Sequence, residues 1–116
     1  MSCCNPNEVI THLTGEAKIY YLDLGEYIKG RTVTGITSVT SDDALLTISS
    51  AAIISVDTDD YDQQGNAITI EANTGIRFTM AAGTAGTEYE EYTATVTALV
   101  VTSAGIEECR VRVKVQ

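Results

Sequence analysis

The chain has no tryptophan, one phenylalanine (Phe78), one proline (Pro6) and one histidine (His12). Lacking tryptophan, it lacks the residue that most ligand platforms built on exposed aromatics include. A lone histidine rules out an imidazole cluster for metal or proton-relay chemistry. Positive charge is also scarce: seven Lys and Arg face sixteen Asp and Glu, for a formal net charge of −9. That balance argues against nucleic acid, whose phosphates call for clustered Lys and Arg, and against anionic membranes. No apolar run approaches the roughly 20 residues of a membrane-spanning helix. The opening MSCCNPNEVITHL has neither a basic nor an apolar secretory region, so synthesis and folding in a cytoplasm are expected.

What is present is Thr, Val, Ile and Ala, a composition that favours strands. At 116 residues the chain is long enough for one domain with one core. The last third is the most telling. From Cys109 to Gln116, Cys109, Val111, Val113 and Val115 alternate with Arg110, Arg112, Lys114 and Gln116. Strict alternation is the period of a strand with one wet face, and a slip by a single residue would bury every charge. The preceding run places Ala94, Val96, Ala98 and Val100 on one face and Thr93, Thr95, Thr97 and Leu99 on the other. Joined by Thr102-Ser103-Ala104-Gly105, the two runs predict a terminal β-hairpin.

Upstream, residues 1–17 read as a polar, flexible leader, and residues 18–116 as the folded domain. Strands are expected over Lys18–Leu24, Arg31–Thr40 with a bulge at Gly35, Leu45–Ile48, Ile53–Val56, Ala67–Ala72 and Gly75–Met80. Gly25–Gly30 reads as a short helical turn or loop, Ser41-Asp42-Asp43 as a turn, and Asp57–Gly65 as an acidic loop. The count, about seven or eight strands between Gly, Asn, Asp and Ser turns, indicates an all-β sandwich. Either Tyr89 or Tyr92, at the entrance of the penultimate strand, is placed to bond across a corner between sheets, or else is an ordinary half-buried tyrosine.

Chemistry is thin. His12 stands alone in the leader, and no Ser or Cys has a nucleophile-elbow context. Asp42-Asp43 and Glu90-Glu91 are adjacent pairs whose side chains, on strands, point to opposite faces; Glu107-Glu108 flanks a turn. No catalytic, cofactor-binding or metal-ligating residue is therefore assigned, and no enzyme is expected. From Asp60 the spacing D-x-D-x-Q-G, with Glu71 at the twelfth position, approximates a calcium loop. Gln64 at the fifth position and the strand-like Ile68 and Ile70 favour a solvated acidic loop over Asp57–Glu71 instead. Three cysteines cannot all pair within one chain. Cys109 is expected buried as a small hydrophobe, with Cys3 and Cys4 as surface thiols open to intersubunit disulfides.

Between Tyr21 and Val115 the sequence resembles small immunoglobulin-like virion proteins of tailed bacteriophages, the fiber–tail adaptors. The resemblance is carried by Asp23-Leu24 followed by Tyr27-Ile28, by Gly30-Arg31-Thr32-Val33, by Gly83–Tyr89 (GTAGTEY), by Thr102–Gly105, and by the charged, alternating final strand. It departs in lacking an aromatic near Thr37–Thr40 and in longer stretches over Ser49–Asn66 and between Tyr89 and Thr102. The resemblance implies an immunoglobulin-like sandwich made in the host cytoplasm and carried in the virion. It would dock as a repeated, homo-oligomeric or arrayed subunit on tail, neck, fiber or capsid proteins, without nucleic acid, membrane or cofactor. Two alternatives stay open: a capsid decoration protein, and a carbohydrate- or surface-binding module using Tyr20, Tyr21, Tyr27 and Tyr61. The basic side chains of the last strand are expected to guard an exposed sheet edge or to meet an acidic neighbour.

Overall fold

The computed structural model describes residues 9–13, 15–61, 65–82 and 92–116. Among them are nine strands and one helical turn: β1 (Val9–His12), β2 (Ala17–Asp23), α1 (Gly25–Ile28), β3 (Val33–Ser41), β4 (Leu46–Ile53), β5 (Thr58–Tyr61), β6 (Ala67–Ile70), β7 (Gly75–Ala82), β8 (Tyr92–Thr102) and β9 (Gly105–Val115). One sheet runs β1-β9-β8-β3 and a second runs β2-β7-β4, while β5 and β6 form a separate two-stranded hairpin. The chain is an all-β sandwich. Its core takes Leu22, Leu46, Ile76, Phe78 and Met80 from one sheet and Ile10, Val33 and alternate residues of β8 and β9 from the other.

The terminal hairpin forms as its alternation requires. Thr102 pairs with Gly105 across a tight turn, and the register continues without a break to Tyr92 opposite Val115. Ala94, Val96, Ala98 and Val100 of β8 and Cys109, Val111, Val113 and Val115 of β9 are all buried. Each buried valine contributes about 1.5–3 kcal/mol relative to an exposed one, so this single register carries much of the core.

Four expectations need correction. The leader is structured where it can be described: β1 pairs in parallel with β9, setting Ile10 opposite Val113 and His12 opposite Val115. Leu45–Ile48 and Ile53–Val56 are not two strands but one. β4 runs through a register shift between Ser49 and Ala52, and Ser50 there has a φ of 55°. The four residues Ser49-Ser50-Ala51-Ala52 offered no apolar alternation, but a bulge absorbs them without ending the strand. The acidic segment is not all loop, since Thr58–Tyr61 pairs with Ala67–Ile70. Finally, β9 is not an edge over its last part, since β1 covers its outer side from Arg112 to Val115.

The remaining elements follow expectation. β3 carries register shifts between Val33 and Gly35 and between Ile36 and Ser38. α1 is a single turn: the Asp23 carboxylate accepts the Gly25 N–H at 2.9 Å, and Lys29 turns left-handed at φ 48°. Gly75 is needed for close packing, because a Cβ there would lie 2.6 Å from the Leu22 carbonyl oxygen and 2.8 Å from Ile70 Cγ2.

Candidate functional site

The side chains with possible chemistry fall at four separate places. The first is the crossing from β1 to β2, where the chain passes from one sheet to the other. His12, 1% exposed, points inward in the row of Ile10. Its Nε2 lies 2.7 Å from the Glu16 carbonyl oxygen, which only accepts, so Nε2 carries a proton and donates. Its Nδ1 is 2.9 Å from the Tyr20 hydroxyl. In the neutral ring Nδ1 accepts the phenol proton. In the charged ring Nδ1 donates, and the hydroxyl can turn to the Thr11 carbonyl at 3.4 Å. Burial, and then the Glu16 carboxylate, push the Tyr20 pKa above its ordinary value, which keeps the phenol protonated. This is a satisfied structural clasp. The sequence did carry its signal, since Ile10 and His12 alternate as strand neighbours, but a histidine in an apolar slot hid the period.

The second place is the acidic hairpin. Asp57 caps the Ala72 N–H at 2.9 Å, and Asp59 accepts the Thr69 hydroxyl at 3.1 Å. Asp59 and Asp60 are neighbours on β5, which turns them to opposite faces. Asp62, Gln63 and Gln64 of the calcium-like spacing lie outside the described residues, and among those described no three His, Cys, Asp or Glu side chains gather as a metal site. Asp42 and Asp43 serve the turn after β3: Asp42 accepts the Thr95 N–H at 2.8 Å, and Asp43 accepts the Leu45 N–H at 2.9 Å. Glu90 and Glu91 lie outside the described residues.

The third is the tyrosines. Tyr20 packs against the core, whereas Tyr21, its neighbour, faces the opposite side of β2, and Tyr61 stands 68% exposed on the hairpin. Tyr20 and Tyr21 therefore share no face. Tyr92 is partly buried at the start of β8, and burial, then the Asp43 carboxylate, raise its pKa. Tyr89 lies outside the described residues, as does the Tyr27 side chain.

The fourth is β9. Cys109 is buried as expected at 1% exposure, but it is disulfide-bonded and not a free thiol. Cys3 and Cys4 lie outside the described residues. On the other face of the strand Arg110, Arg112 and Lys114 are exposed, beside Thr97, Thr95 and Thr93 of β8. Arg110 pairs with Glu108 at 2.5 Å. Glu107 points the opposite way and meets Arg31 at 3.1 Å, tying the segment after α1 to the start of β9. Both partners of that pair are partly exposed, so it is worth about 0–1 kcal/mol. No protein-family model matches the chain, and no curated protein matches it.

Proposed function

We propose that this chain is a non-enzymatic structural subunit of a tailed-phage particle, an immunoglobulin-like adaptor that docks between tail or neck and fibers in repeated copies. The observation that carries the reading is the strand order. On this reading β2-β7-β4 and β3-β8-β9 would take the places of strands B-E-D and C-F-G of an immunoglobulin sandwich, with β1 added beside the last strand and β5–β6 inserted between the positions of D and E. Those segments of the resemblance that lie among the described residues fall within that frame; Gly83–Tyr89 lies outside them. Leu24 and Ile28 are fully buried around the helical turn, Val33 opens β3 at 3% exposure, and Thr102–Gly105 makes the last turn. The domain works by contact, and a symmetric particle makes modest contacts cooperative through repetition.

Deletion of the coding sequence from the genome that encodes this chain tests the role. The expected outcome is particles with heads and tails but without stably attached fibers, restored when the protein is supplied in trans. Infectious, fibered particles at normal yield would overturn the reading.

A further inference from the structure

The pairing of β1 with β9 stops short. β9 begins at Gly105, but β1 lies opposite residues 112–115 only, so among the described residues no strand covers that side of residues 105–111. The outward N–H and C=O groups of such a stretch invite indiscriminate pairing unless something closes it.

Two independent observations name what closes it. The first is direction. The pairing is parallel, with Val9 opposite Arg112 and His12 opposite Val115, so the chain preceding Val9 heads along β9 toward Gly105. Residues 1–8 are enough for the seven open positions. The second is covalent. Cys109 lies on the open stretch and is disulfide-bonded, and the sequence holds only two other cysteines, Cys3 and Cys4. Its partner is therefore one of these. They stand six and five residues before Val9, a reach of about 16–22 Å, whereas Cys109 lies about 10 Å before Arg112. The bond and the β1 pairing are thus compatible, with slack to spare for Pro6, which has no N–H to give a ladder. We propose that residues 1–8 form a strap along the open edge of β9, fastened by the disulfide of Cys109 with Cys3 or Cys4 and unfastened by reduction.

Two low-molecular-weight thiols supply the electrons. The protein S–S bond breaks, each of its sulfurs takes a proton from the reductant as a thiol, and the two reductant sulfurs join as a disulfide. Fastened, the edge is closed; unfastened, β1 keeps only its pairing over Val9–His12, and the rest of the edge is open to a partner's strand. The inference does not depend on the phage reading and holds for this domain in any setting.

Peptide mapping of the full chain without reductant should recover Cys109 joined to the peptide that holds Cys3 and Cys4, from protein that runs as a monomer. Hydrogen exchange read by mass spectrometry follows the edge. Exchange over residues 105–111 should rise roughly tenfold when a dithiol reductant is added. It should already be fast without reductant in Cys109→Ser, while β3 and β8 stay protected and report an intact fold. Cys3→Ser with Cys4→Ser leaves Cys109 in the core and gives the same reading if Cys109→Ser does not fold. Cys109 recovered as a free thiol or joined to a second copy overturns the proposal. So does exchange over residues 105–111 that is the same with and without reductant.

Discussion

His12 occupies a position that apolar residues normally fill, and its two hydrogen bonds make that burial tolerable. Tyr20→Phe removes the hydroxyl from Nδ1 and should destabilise the protein by about 1–3 kcal/mol at neutral pH, read from urea denaturation. The raised pKa values of Tyr20 and Tyr92 also set an alkaline limit. The folded state holds these protons more tightly than the unfolded chain. Their stabilisation is therefore complete below the unfolded value of about 10 and is lost as pH rises through the folded values. Urea midpoints should fall above about pH 10, and less steeply in Tyr20→Phe than in wild type; an equal slope would show that the Tyr20 proton is not held more tightly on folding. Gly75 and Gly35 make a second contrast. Gly75→Ala drives a Cβ into the Leu22 carbonyl and should cost about 1–3 kcal/mol or more, whereas at Gly35 the nearest atoms are 3.7 Å away and Ala should be tolerated.

At the scale of elements, β8 and the Cys109–Val115 part of β9 were legible because their inward and outward side chains alternate, whereas Gly105–Glu108, expected as the flank of a turn, extends β9 with Ile106 outward and Glu107 inward. β2, β3 with its bulge, and β7 were legible as strand-favouring runs bounded by Gly, Asn or Asp, and α1 as the short turn of Gly25–Gly30 between two of them. β1 was not, because four residues give too short a pattern to read and one of the inward positions is His12. β4 was split in two by Ser49–Ala52, since a bulge breaks alternation without breaking the strand. The disulfide of Cys109 was hidden because its position on an apolar face fits a small hydrophobe equally well. Two measurements address this scale. A thiol reagent should modify Cys109 only after reduction and unfolding, and reduction should lower stability by about 2–4 kcal/mol. Phe78→Ala in the middle of β7, the central strand of its sheet, should cost about 3–5 kcal/mol. A loss below about 1 kcal/mol would mean that the two sheets do not close on this side chain.

At the scale of the whole molecule, the sandwich leaves its polar chemistry on separate surfaces, joined by no common cleft among the described residues. Its net charge of −9 disfavours indiscriminate association, and Arg110, Arg112 and Lys114, clustered on the outer face of β9 beside Glu108, are the local exception. On the proposed reading, such a protein acts by where it binds. The measurement that tests this most directly is quantitative peptide mass spectrometry of purified particles assembled by the genome that encodes the chain. The account predicts the protein in fixed copy number, a multiple set by the symmetry of the tail or neck, and stable to washing. Its absence from otherwise complete particles would contradict the account.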